Sequence, residues 1–184
     1  MKLFITMALS IMLLSIPKPM GSVINKTERP IIETIPPARP LLSDGLQSFM
    51  MDLSFFEGKG KLNIVNRFGM LGKYQFKPAT LRSIGIRVPK ADFLLNEELQ
   101  DSAFILLLKD NKHTLRHIIH RFSGKYYNGI FITESGILAG AHLVGAKGVM
   151  SYFYPTRIKA RTVDGNLVHV QLYIKKFGGY NLWE

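Results

Sequence analysis

The sequence contains no cysteine, and acidic residues are scarce relative to basic ones. The absence of cysteine excludes a disulfide framework, thiol chemistry and a lipid-anchoring cysteine. The 13 acidic residues against 24 lysines and arginines give a formal charge of +11. A surplus of this size predicts an anionic partner such as nucleic acid, an acidic membrane surface or an anionic cell envelope. A generally basic surface without a specific partner is the alternative.

Apolar runs of the roughly 20 residues that a membrane span needs are also missing. The longest run, residues 3–16, follows Lys2 and ends at Pro17. This pattern is typical of an export signal over residues 1–22, and an uncleaved anchor is the alternative because no A-x-A cleavage pattern is present. We expect a periplasmic or secreted protein with no stable membrane span once the signal is removed. Export argues against nucleic acid as the partner.

The remaining chain divides into a linker and one domain. Residues 23–42 are rich in proline and show no sustained period, which predicts an extended linker. Residues 43–184 predict a mainly α single domain of several short helices, with either a small β-hairpin or a loop at 126–133. The expected helices cover residues 43–57, 78–85, 96–111, 113–122, 134–145, 149–153 and, with helix favoured over strand, 167–177.

Glu57 stands out because it follows large apolar side chains at the predicted end of the first helix and precedes a glycine-rich loop reaching about Phe76. The negative end of the helix dipole, with Phe55, Phe56 and Phe68 nearby, would raise the pKa of its carboxyl. A carboxyl that keeps its proton near neutral pH suits a general acid in glycoside cleavage. The glycines would let a bulky polymer approach the main chain. The alternative is a solvated residue at a helix end.

Two blocks of sequence resemble the lysozyme-like lytic transglycosylases. Behind Glu57, residues 69–80 read GMLGKYQFKPAT, similar to the G-x-x-G-x-x-Q-x-x-P-x-T segment that follows the family's catalytic glutamate. Residues 141–149, AHLVGAKGV, resemble the family's A-Y-N-x-G-x-x-x-V element. The chain is more specifically similar to small exported muramidase-like proteins over most of residues 45–181. The segments that carry this similarity are VNRFGMLGKYQF, ITESGILAGAHLVGAKGV and KKFGGY.

The resemblance implies a lysozyme-like fold and cleavage of the β-1,4 bond between MurNAc and GlcNAc in peptidoglycan. Glu57 would be the single catalytic general acid/base. It would first protonate the glycosidic oxygen and then help the muramic acid's own hydroxyl close a 1,6-anhydro ring. The resemblance also implies a set of substrate-binding residues: Tyr74, Gln75, His142, Gly69 and Gly72.

Three positions depart from the family's pattern. Gly58 stands where the family has Ser, His142 where it has Tyr, and Leu143 where it has Asn. A leucine cannot supply the hydrogen bonds that an asparagine offers. The alternative function is therefore a non-catalytic peptidoglycan-binding or scaffold domain that keeps the fold.

Two other carboxylates are weaker candidates. Glu134 follows Thr133 in the first turn of a predicted helix, where the dipole favours its charged form, and a structural role in that turn is the alternative. Asp52 lies in the same predicted helix as Glu57 and would point to a different face. The sequence does not exclude a second catalytic carboxylate that the fold brings close to Glu57.

The histidines do not indicate a metal site. His113, His117 and His120 could share one face of a helix, but no carboxylate or cysteine completes a ligand motif with them. We therefore predict no metal, no cofactor and a monomer whose partner is the peptidoglycan glycan strand.

Overall fold

The computed structural model describes residues 43–183, so the predicted export signal and linker lie outside the described residues. The described chain is mainly helical, as predicted, with one two-stranded antiparallel sheet. Within residues 43–183, no helix combines the length and apolar character that crossing a bilayer requires. The elements in chain order are α1 Asp44–Gly58, α2 Pro78–Ser83, α3 Lys90–Leu95, α4 Glu97–Phe122, β1 Tyr126–Tyr127, β2 Ile130–Phe131, α5 Glu134–Phe153 and α6 Val170–Lys176.

The longest element, α4, is one helix of 26 residues. The prediction of two helices meeting near residue 112 was wrong, because neither glycine nor proline interrupts this stretch. Instead, Leu108, Asn111, Leu115 and Ile118 continue one buried stripe at spacings of three and four. The helix begins where predicted, since the Asn96 side chain accepts a hydrogen bond from the Leu99 amide.

The segments around α5 follow the predictions with one correction. The turn at residues 128–129 closes a hairpin that pairs Tyr126 with Phe131, and the Thr133 side chain caps α5. The predicted helix end at Gly145 is confirmed, since its φ of 75° and ψ of 165° break the helix, but the predicted interval before a second helix at residue 149 was wrong. The backbone leaves helical geometry only at Gly145, which kinks α5, and the helix continues directly to Phe153. The tail forms a helix, α6, rather than a strand.

The core has two parts, and α4 contributes to both. One part surrounds Phe49 of α1, Phe104 of α4 and Phe177 after α6. The other surrounds Leu115 in the second half of α4 and Ile137 of α5, together with the hairpin and α6. The kinked α5 thus crosses the middle of the molecule, and α6 packs beside it.

The last described residues, 178–183, tie α1 to the start of α5. The amides of Gly179 and Tyr180 donate to the Thr133 and Ser135 hydroxyls, each over 3.2 Å. The Tyr180 hydroxyl donates to Oδ2 of Asp52 over 2.5 Å. These contacts hold the C-terminal end of α6 against α1 and so bring Tyr173 of α6 to Glu57 of α1.

Candidate active site

A cleft of about 500 Å³ opens between the loop after α1, one face of α4 and the middle of α5. The turn at residues 164–166 closes one side of it. Carboxylate and amide side chains, which can hydrogen-bond to a sugar polymer, are present among its lining residues. The lining residues include Glu57, Gln75, Asn111, His142, Leu143 and Asp164.

Glu57 lies in the last turn of α1, whose end is defined by a left-handed residue, Lys59. The preceding residue, Gly58, lies directly against the main chain of Lys73 in the glycine-rich loop. A Cβ atom on Gly58 would lie 2.7 Å from the Lys73 carbonyl oxygen, closer than atoms in contact can come. The departure at Gly58 therefore has a structural reason, since a serine in this position would collide with the loop.

A buried glutamine holds that loop in place. Gln100 of α4 is fully buried; its Oε1 accepts from the Lys73 amide over 2.9 Å, and its Nε2 donates to the Phe93 carbonyl over 3.0 Å. Gly72 has a φ of +71°, and a Cβ atom there would lie 2.2 Å from Gln100 Oε1. Gly72 thus shapes the loop and does not line the cleft, so its predicted substrate-binding role finds no support in this placement.

Tyr74 also differs from its predicted role. Its ring is buried and stacks on Phe104 with centroids 4.3 Å apart, and its hydroxyl donates to Asp101 Oδ1 over 2.6 Å. The side chain therefore points into the core and cannot contact a sugar in the cleft unless it leaves the core. Tyr74 contributes to the site through its main-chain carbonyl, which accepts a hydrogen bond from His142.

Gly69 and the phenylalanines near Glu57 differ in their exposure and in whether they line the cleft. Gly69 sits in an exposed turn and does not line the cleft, whereas its neighbour Phe68 does. Phe56 packs edge-on against Tyr173. Phe55 is 70% exposed and lines no part of the cleft, so the expectation that it would help to desolvate Glu57 was wrong.

The carboxylate of Glu57 is held on one side only. The Tyr173 hydroxyl donates to Oε1 over 2.6 Å, and no residue in the described chain donates to Oε2. Burial, and then the nearby Glu57 charge, raise the pKa of Tyr173 above its ordinary value, so its hydroxyl stays protonated and remains a donor. Sequence reasoning missed Tyr173 because it lies 116 residues from Glu57 and belongs to no local motif.

His142 lies near the same carboxylate without bonding to it. Its Nε2 lies 2.8 Å from the Tyr74 carbonyl oxygen and must donate to it, because a carbonyl only accepts. The same nitrogen lies 3.9 Å from Glu57 Oε1. Burial lowers the pKa of His142 and outweighs the opposing effect of the Glu57 charge. The imidazole is therefore neutral at pH 7, and the two residues do not form an ion pair.

The rest of the cleft is part polar and part apolar. The Gln75 side chain lines it and donates to the Gly72 carbonyl over 2.8 Å. Asn111 also lines it; it is buried, and its Nδ2 has no hydrogen-bond partner in the described chain. Leu143 gives an apolar wall and packs against the core. Of the predicted binding residues, Gln75 and His142 are thus brought together with Glu57.

The rival carboxylates fall outside the cleft. Asp52 is bound by Tyr180, while Glu134 pairs with Lys112 over 2.8 Å and accepts from the Trp183 indole. Asp164 does line the cleft, but its Oδ1 accepts the Asn166 and Val168 amides and so holds the turn that follows α5. The structural interpretation of Glu134, as a residue of the first turn of α5, agrees with its contacts.

Comparison of the chain with models of known protein families, with characterised proteins and with solved structures gives no match. Among residues 43–183, no three His, Asp or Glu side chains are grouped so that they could hold a metal ion. The assignment of function therefore rests on the residues of the cleft.

Proposed function

We propose that this chain is a peptidoglycan-cleaving enzyme of the lysozyme-like lytic transglycosylase type, which cuts the MurNAc–GlcNAc β-1,4 bond. One observation carries the proposal: Glu57 stands in the wall of an open cleft, where Tyr173 fixes Oε1 and no residue among 43–183 donates a hydrogen bond to Oε2. A general acid needs this arrangement, because one oxygen must be oriented while the other reaches the substrate. The sequence resemblance around Glu57 and Gln75 supports the same assignment.

In the proposed reaction, Glu57 Oε2 donates its proton to the glycosidic oxygen, and the bond between that oxygen and C1 of the muramic acid breaks. The carboxylate that remains then takes the proton of the muramic acid C6 hydroxyl, and the C6 oxygen bonds to C1. The product is a 1,6-anhydro sugar, so no water is consumed and the carboxyl regains its proton. Tyr173 acts as the positioning residue for Glu57 through its hydrogen bond to Oε1.

The acids that line the cleft beside Glu57 are Asp110 on α4 and Asp164 in the turn after α5. Asp164 is occupied by two main-chain amides that fold its own turn. A hydrolase would need a second carboxylate as nucleophile or as base for a water molecule. Ring closure by the substrate's own hydroxyl removes this requirement, which is why we favour the transglycosylase reaction over hydrolysis.

The second candidate is a non-catalytic domain that binds glycan strands. Leu143 favours it, because an apolar wall cannot hydrogen-bond to the substrate as the asparagine of the resembling family would. Asn111 of α4, whose buried Nδ2 has no hydrogen-bond partner among residues 43–183, is the residue in this cleft that could replace that asparagine.

Digestion of purified peptidoglycan tests the proposal, with Glu57→Gln as the variant and Asp52→Asn as its matched control. Both residues lie on α1, and both accept a hydrogen bond from a tyrosine near the C-terminus, but only Glu57 lines the cleft. We expect Glu57→Gln to lose at least about 100-fold in released muropeptides, since general acid catalysis is worth roughly 10²–10⁴-fold. Asp52→Asn should retain activity. Equal activity of Glu57→Gln and the unchanged chain would refute the proposal.

A further inference from the structure

A second concave surface lies at the C-terminal end of α4. This basic groove encloses about 1060 Å³ and is formed by the last turns of α4, the hairpin and the end of α5. Its lining residues are mainly cationic or aromatic, and they include Arg116, His117, Arg121, Lys125, Tyr126 and Tyr154.

The groove carries positive charge that the described chain does not neutralise. No aspartate or glutamate lines it, and no carboxylate among residues 43–183 pairs with Arg116, Arg121 or Lys125. The Lys125 ammonium donates to the Arg121 carbonyl at the end of α4. The Arg121 guanidinium lies 5.9 Å from the centre of the Tyr154 ring. An anionic ligand can therefore pair with these cations without displacing a carboxylate of the described chain.

The basic groove continues the candidate active site along two helices. On α4, Asp110 and Thr114 line the cleft, and His117 and Arg121 line the groove. Spacings of four, three and four place these residues on one helical face. Thr114 and His117 are roughly 4.5 Å apart along the helix axis, so the two concavities meet within one turn.

The opposite wall has the same continuity. After the kink in α5, Lys147 lines the cleft and Tyr154 lines the groove, seven residues further along. Residues seven apart share a face of a helix. Tyr126 of the hairpin is 77% exposed and offers a flat ring beside the groove. A polymer lying in the cleft would thus carry its attached groups into the basic groove.

We propose that the basic groove binds the carboxylates of the stem peptides carried by the glycan strand that occupies the cleft. This inference rests on the proposed function. Arginine guanidinium groups pair with carboxylates in a planar, bidentate geometry, and the exposed tyrosine ring can cover the apolar part of a peptide. The groove would make the protein select strands that still carry peptides over strands from which peptides have been removed.

The test measures binding of soluble glycan strands to the full chain carrying Glu57→Gln, which keeps the strands intact. Peptide-bearing strands are compared with strands stripped by an amidase. We expect peptide-bearing strands to bind about fivefold tighter, given two exposed charge contacts. Arg121→Gln with Lys125→Gln should bring this ratio below about twofold and leave the affinity for stripped strands unchanged.

The matched control is Arg82→Gln with Lys90→Gln, which removes the same charge from exposed positions on α2 and α3 outside both concavities. It should keep the fivefold ratio. A ratio that survives in the Arg121/Lys125 variant, or equal binding of both strands to the parent, overturns this inference and leaves the proposed function standing. Binding of neither strand overturns both. Loss of oligonucleotide or anionic-vesicle binding in the groove variant, with strand binding unchanged, would assign the groove to another polyanion and overturn it too.

Discussion

The Tyr173 hydroxyl and the Glu57 carboxylate are 2.6 Å apart, although α6 and α1 lie at opposite ends of the described chain. The contact exists because the segment after α6 is fastened to α1 and to the start of α5. A parallel contact joins Tyr180 to Asp52 on the same helix. Two tyrosine–carboxylate pairs thus connect the same two parts of the chain, and only one of them borders the cleft.

These two pairs allow a matched experiment. We predict that Tyr173→Phe lowers the rate of peptidoglycan cleavage about tenfold, because a hydrogen bond to a charged group is worth about 1.5–3 kcal/mol and here orients the catalytic carboxylate. Tyr180→Phe should lower the free energy of unfolding by about 1 kcal/mol and leave the rate unchanged. Denaturant unfolding and initial rates on both variants make the comparison. Equal effects of the two substitutions on the rate would contradict the positioning role of Tyr173.

The neutral state of His142 predicts a dependence of stability on pH. Because burial lowers its pKa in the folded protein, the unfolded chain binds more protons at this residue once the pH falls below its ordinary value of 6.5. The free energy of unfolding should then decrease with falling pH, by at most about 1.4 kcal/mol per unit for one proton. Above that value His142 should contribute no slope.

The matched variant is His142→Gln, which keeps an N–H donor for the Tyr74 carbonyl but does not titrate. Denaturant unfolding of both proteins between pH 5 and 8, which brackets the titration of an ordinary histidine, gives the difference directly. The His142 contribution is the part of the slope that the variant lacks. Identical pH profiles would show that the buried imidazole is not the group responsible.

The close contact between Gly58 and the Lys73 main chain predicts that a side chain is not tolerated at position 58, where the resembling family has Ser. Gly58→Ala should destabilise the fold by about 1–3 kcal/mol, since its new methyl group would meet the Lys73 main chain and not a flexible side chain. Gly165→Ala is the stability control, because the nearest atoms to its Cβ would be 3.9 Å away. Thermal unfolding of both variants decides the matter. A Gly58→Ala protein as stable as the Gly165→Ala protein would contradict the close packing of the loop on α1.

Local patterns predicted the elements well. The stripe ending near Glu57 predicted α1, Thr133 predicted the start of α5, and the Asn128-Gly129 turn indicated the hairpin. In each case the signal lies within a few residues of the feature that it determines. The split predicted in α4 was wrong because the polar residue Asn111 continues the buried stripe between Leu108 and Leu115 and does not interrupt it.

The site was predicted only in part, because its geometry depends on contacts between distant residues. The motif around Tyr74 and Gln75 identifies a loop, but Gln100 decides which of its side chains face the cleft. The Tyr74 side chain packs inward against Phe104 and Asp101, and the spacing of residues in the loop does not predict this orientation. Tyr173 could not be predicted, since it follows a helical pattern in which nothing marks it as a partner of Glu57.

Mass spectrometry of the products released from purified peptidoglycan tests the central claim most directly. With Glu57 as the single catalytic acid and base, we predict muropeptides that end in 1,6-anhydro-muramic acid, released by the unchanged chain and by Asp52→Asn but not by Glu57→Gln. Products with reducing ends would contradict the transglycosylase reaction and require a second carboxylate. Intact peptidoglycan that retains the protein but releases no products would contradict catalysis itself and leave a glycan-binding domain.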